Sequence, residues 1–147
     1  MSLHGATARR RPEGGAGPGD CSRLPLHGSA VGKAMLSAQS DPVLSGLLPR
    51  IALTPLTDRT VADPGRLRHE IAETRGRGYA VDDEEHVPGM RCVAAPILGR
   101  RGRPVAALSV SGPAERMPPA RLASLGALVR GAADRLTGLL AAPQPAR

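Results

Sequence analysis

Aromatic residues are almost missing from this chain of 147 residues, which has no Phe, no Trp and a single Tyr, Tyr79. Its core must therefore be assembled from Leu, Val, Ile and Ala, and no aromatic ring stands among its arginines to stack on nucleic-acid bases. Lysine is nearly as scarce: Lys33 is the only one, so the net charge of +7 and the pI near 11.1 come from arginine scattered among Ala, Gly and Pro. Dispersal of that kind reads as the residue bias of a GC-rich gene rather than as a phosphate-binding face. The two cysteines, Cys21 and Cys92, stand in unrelated contexts, which argues against a disulfide framework and suits a reducing cytoplasm. No apolar run is long enough to span a bilayer, and Arg9, Arg10 and Arg11 are not followed by the apolar segment of a signal peptide. These absences leave a single, modest, cytoplasmic domain with no membrane contact.

Along the chain, residues 1–23 are Gly, Arg, Pro and Ala without period and are expected to be a disordered tail, as are residues 142–147. Residues 24–141 carry the ordered pattern. Ser29 is placed to cap a helix over SAVGKAMLSAQ, Asp41-Pro42 to start a short second helix stopped by Pro49, and Asp63-Pro64 to start a third. In the third, Leu67 and Ile71 share an apolar stripe while Arg66, Glu70, Glu73 and Arg77 face water, and Gly76 and Gly78 end it. Three strands follow, over residues 79–83, 91–98 and 104–112, the last two joined by GRRGR. A loop centred on Arg100-Arg101 predicts that Cys92 lies across from Ser109, while Pro96 argues against a central strand. A final helix starts at Pro118-Pro119, with Leu122, Leu125, Val129, Ala132, Leu136 and Leu139 at helical spacing.

Three constellations carry possible chemistry. Asp82, Cys92, Ser109 and Ser111 sit on strands that would ordinarily hold aliphatic residues, and the helix start at Ala30, Val31 and Gly32 offers free N–H groups to an anion. Together they suit a small oxo- or hydroxy-acid. Alternation also permits Ser109 and Ser111 to face solvent on a half-exposed sheet, so both arrangements stay open. The run Asp82, Asp83, Glu84, Glu85 and His86 resembles a metal site only superficially, because an extended segment cannot converge five ligands, and a solvated acidic loop is favoured with no metal or other cofactor. Cys92 with His86 as base would make a cysteine hydrolase, but nearby carboxylates raise a thiol and disfavour the thiolate, so no catalytic residue is expected.

The motifs LPLHGSAVGKAML, RGRGYAVDDEEHVPGMRCVAAPI and PVAALSVSGP, in this order and at these intervals, resemble the effector-binding domain of the IclR family of bacterial transcriptional regulators. The resemblance covers about residues 24–140. It implies an α+β fold of GAF/PAS-like shape, an antiparallel sheet flanked by helices, whose pocket holds a small organic or aromatic acid. It implies backbone contacts from Ala30 and Val31 and a polar wall of Asp82, Cys92, Ser109 and Ser111, in a homo-oligomer. Gly28 stands where Ala is usual, and Val31 is bulkier than the Ala of some members. Family members begin with a winged helix-turn-helix, a linker helix and early strands, whereas residues 1–23 here are low in complexity. The expectation is an N-terminally truncated regulator, incomplete at the first strands, marginally stable or paired with another chain, and not a specific DNA binder by itself. A separate expectation from the bare sequence is non-specific nucleic-acid binding through Arg9, Arg10 and Arg11.

Overall fold

The computed structural model describes residues 23–143; the basic run Arg9 to Arg11, Cys21 and most of both expected tails lie outside them. The elements are α1 (Ala30–Ser37), α2 (Asp41–Leu47) with a 3-10 turn (Leu48–Arg50), α3 (Pro64–Arg77), β1 (Ala80–Asp83), β2 (Met90–Leu98), β3 (Pro104–Pro113) and α4 (Pro119–Ala141). The α+β class expected from the sequence is the one adopted. The strands form one antiparallel sheet in the order β1-β2-β3.

Local chemistry explains the starts of α1 and α3 and the end of α3. Ser29 Oγ accepts from Gly32 N at 3.0 Å, and Asp63 accepts from Arg66 N at 2.8 Å, each occupying an otherwise orphaned first-turn donor. α3 ends where Gly78 takes a left-handed φ of 82°, so Gly76 lies inside the helix rather than ending it. Asp41 is not the cap of α2: Ser40 holds that position, and Asp41 binds Arg75 Nη1 at 2.7 Å. α2 ends at Leu47, just before Pro49 as expected, and Pro49 itself sits in the 3-10 turn that follows. Arg75 also donates to Ser37 O at 2.8 Å and Gln39 O at 2.7 Å, tying α3 to the end of α1.

β2 is central despite Pro96. β1 pairs only as far as Ala94, and Pro96 lies beyond it. Met90 and Leu98, in phase with Pro96, turn their backbone groups away from β3, to Glu84 N and Thr137 Oγ1. The missing N–H of Pro96 therefore faces a side with no strand to pair.

The hairpin register differs from expectation by two residues. Arg103 joins the loop, making it residues 99–103 with Gly102 left-handed at φ 68°, and Val105 is left unpaired at the irregularity beside Leu98. Cys92 thus pairs with Ser111, and Ala94 with Ser109. A two-residue slip preserves the face, so the polar residues stay together.

Two layers cover the sheet. α4 packs on the face of Val93, Ala95 and Ile97 through Val129 and Ala133, joined by Met117. Leu122, Leu125 and Val129 of the expected stripe pack there, but the fully buried line passes through Gly126, Val129 and Ala133, a rotation that leaves Leu139 71 % exposed. At Gly126 the Tyr79 ring lies so close that a Cβ has no room, so this position of the buried line admits only glycine. α1 packs on the opposite face through Ala30, Ala34 and Met35 against Ala80, Ala94 and Ala107. A further cluster of Leu36, Leu44, Val61, Leu67 and Ile71 joins α1, α2 and α3. Among the described residues no helix is long and apolar enough to cross a membrane.

Candidate functional site

The register sets Asp82, Cys92 and Ser111 side by side across β1, β2 and β3, with Ala80, Ala94 and Ser109 as the next row on the same face. α1 covers this face, and Val31 and Cys92 both pack at the edge of its alanine cluster. All six residues singled out in the sequence, Ala30, Val31, Asp82, Cys92, Ser109 and Ser111, therefore belong to the α1 side. Ala30 and Asp82 are buried, Val31, Cys92 and Ser109 half-buried, and Ser111 exposed.

The start of α1 is held by packing as well as by its cap. Ser29 Oγ donates to Pro25 O at 2.6 Å, and a Cβ on Gly32 would come within 2.5 Å of Leu26 Cα. Residues 25–26 thus press directly on the first turn. The N–H groups of Ala30 and Val31 donate to no group among the described residues.

Asp82 is 6 % exposed. Its Oδ1 accepts from Glu85 N at 2.7 Å and His86 N at 3.3 Å, so this carboxylate folds the acidic loop back on itself. Burial raises the Asp82 carboxyl above the usual carboxylate range, against the pull of those two N–H groups and the Lys33 charge. Burial also pushes the Cys92 thiol up to about 12, with the Asp82 charge adding to it and the Ser109 hydroxyl opposing it weakly. A thiol held protonated in this way is a poor nucleophile.

The acidic run is not one solvated loop. Asp83 Oδ1 accepts from Arg91 Nε at 2.6 Å, and Glu84 lies 3.3 Å from Arg59 Nη1. Glu85, 6 % exposed, points inward to Lys33, itself 0 % exposed, with Nζ to Oε2 at 2.7 Å and Nζ to Oε1 at 3.0 Å. Glu70, expected to face water, turns its Oε2 to within 3.5 Å of the same ammonium. Among the described residues no three His, Cys, Asp or Glu side chains are grouped to hold a metal ion. A shallow depression between Gly99, Arg100 and Gly102 and the end of α4 includes none of the six.

Residues 21–137, most of the chain, match the family model described as Bacterial transcriptional regulator IclR C-terminal. The chain belongs to the IclR family. The acetate operon repressor of Salmonella typhimurium is 45% identical over 115 residues, spanning 78% of this chain and 42% of the repressor. The transcriptional repressor IclR of Escherichia coli is 43% identical over 115 residues, again 78% of this chain and 42% of that protein. The chain thus spans less than half the length of these curated relatives. Thermotoga maritima IclR superposes with a TM-score of 0.76 at 32% identity, covering 80% of this chain and 47% of that one. The inducer-binding domain of the Acinetobacter transcription factor PobR, solved as a double mutant with 3-hydroxybenzoic acid, gives 0.72 at 28% identity, covering 84% and 73%. These IclR-type relatives are named as repressors and regulators of transcription, not as enzymes.

What sequence reasoning missed in this IclR-type domain is the Lys33–Glu85 pair. The available signal was that Lys33 is the only lysine of the chain and sits inside an otherwise apolar helix, AVGKAMLS.

Proposed function

We propose that residues 24–141 form the ligand-sensing unit of a cytoplasmic IclR-type transcriptional regulator, and that it binds a small organic carboxylate without converting it. The observation that carries this is that Asp82, Cys92, Ser109 and Ser111 share the sheet face that α1 covers, while the N–H groups of Ala30 and Val31 take no partner among the described residues. A helix start with free donors stabilises a carboxylate. Ser109 and Ser111 donate to its remaining oxygens, the protonated Cys92 forms an inert wall, and Asp82 accepts from a ligand hydroxyl. The 3-hydroxybenzoic acid bound to the PobR domain is of this chemical class.

DNA contact is assigned to the part of such regulators outside this match, and ligand binding biases how their DNA-binding parts are placed, a shift between two populated arrangements. Self-association of the domain is supported by the outer edge of β3, which pairs with no strand among the described residues, and by Leu128, 70 % exposed, and Leu139 on α4. Sedimentation showing only monomer at tens of micromolar would remove that second proposal.

The sensor assignment is tested by a thermal-shift screen with pyruvate, glyoxylate and hydroxybenzoates. At least one acid is expected to raise the melting temperature of the wild type, and Ser109→Ala and Asp82→Ala are expected to lose that rise. A screen without any stabilising acid, or variants that keep the full response, would count against it.

A further inference from the structure

We propose that Lys33 and Glu85 are positioning residues: their buried ion pair pins the acidic loop to α1 and so fixes Asp82 relative to the helix start at Ala30 and Val31. The inference rests on the sensor assignment for the importance of Asp82, but its mechanics are independent of any ligand.

Three contacts meet in one residue. The Glu85 carboxylate takes both of its short bonds from Lys33 Nζ on α1, its N–H donates to Asp82 Oδ1 on β1, and its C=O accepts from Thr60 Oγ1 at 2.6 Å. Thr57 Oγ1 secures the neighbouring carbonyl, Glu84 O, at 2.7 Å. Glu84 itself has a left-handed φ of 58°, a conformation unfavourable for a residue with a Cβ, so the loop needs such tethers to hold its shape. Lys33 lies one turn after Ala30 on the same helix. A closed circuit results, running from the helix start through Lys33, Glu85 and Asp82 to Cys92, which pairs with Asp82 on the next strand.

The circuit explains a cost that packing alone leaves unexplained. A lysine with no exposure and a glutamate at 6 % exposure would be replaced by apolar residues with little loss if only stability mattered. A charged pair instead specifies one partner and one geometry. Glu70, at 3.5 Å, balances the ammonium from the α3 side without a comparable short bond.

The test is backbone amide hydrogen exchange followed by NMR on the full chain, with Lys33→Met, Glu85→Gln and the double variant Lys33→Met/Glu85→Met. The double variant removes both buried charges and so keeps the experiment informative if either single variant fails to fold. In the double variant, which strands no buried charge, the expected result is exchange at Glu85 and His86 faster by about tenfold or more with Val93 and Ala95 in β2 unchanged, whereas each single variant speeds all four amides by lowering global stability. A residue that merely adds stability would speed all of these amides together. In the double variant, unchanged protection at Glu85 and His86, or uniform acceleration through β2, would overturn the proposal. No effector enters this measurement, so its failure is distinct from failure of the carboxylate screen.

Discussion

One face of the sheet meets α4 through Val93, Ala95 and Ile97, while the other meets α1 through Ala80, Ala94 and Ala107 and then opens into the row of Asp82, Cys92 and Ser111. The α4 interface includes branched aliphatic side chains and has no polar row, so it acts as a core whose contribution scales with buried area. The α1 interface is built from alanines, which bring the helix close to the sheet but fill little volume. Its polar groups include Asp82, bonded to the N–H groups of Glu85 and His86, and Lys33, paired with Glu85. The difference teaches that the two faces are held by different means: aliphatic packing on the α4 side, and polar pairs on the α1 side, to which the proposed function assigns recognition.

That division predicts a graded response to substitution. Lys33→Met, which leaves the Glu85 carboxylate buried without its cation, is expected to cost about 3–5 kcal/mol in urea unfolding. Val93→Ala, on the α4 side, is expected to cost about 2–3 kcal/mol and to leave any carboxylate response intact. Asp82→Ala frees the two loop N–H groups and is expected to cost about 1–2 kcal/mol, whereas Asp82→Asn keeps an Oδ1 acceptor and is expected to be near neutral.

The same Asn variant tests the electrostatics. Burial raises the Asp82 and Glu85 carboxyls in the folded chain, so the folded state binds more protons than the unfolded state just above the ordinary carboxylate range. Their contribution to stability is therefore full below about pH 4 and declines as pH rises through the raised values. Asp82→Asn removes one such decline. Its unfolding free energy, measured from about pH 4 to about pH 7, should fall less than that of the wild type. Smallest of all, Ser109→Ala and Ser111→Ala should each change stability by less than about 0.5 kcal/mol while removing the ligand response. Cys92 should resist iodoacetamide near neutral pH, as a thiol pushed up to about 12 requires.

How much of this was legible in the sequence follows from the range of the interactions. Ser29 and Asp63 announce their helices because a cap acts over three residues. Alternation placed Ser109 and Ser111 on one face for the same local reason. The partner of Cys92 was not legible, since the extra residues at Arg103 and Val105 depend on a left-handed Gly102 and a strand irregularity. The buried line of α4 includes Gly126, which Tyr79 meets from 47 positions away in the chain. Lys33 and Glu85 are 52 residues apart, and no periodicity relates them.

The division between the two faces is most directly tested by titrating the labelled chain with an acid that stabilises it, found among pyruvate, glyoxylate and the hydroxybenzoates, and following amide chemical shifts. The account predicts perturbation at Ala30, Val31, Asp82, Cys92, Ser109 and Ser111 with Val129 and Ala133 still. Perturbation centred on α4 or on the loop at residues 99–103, with the α1 face silent, would contradict it.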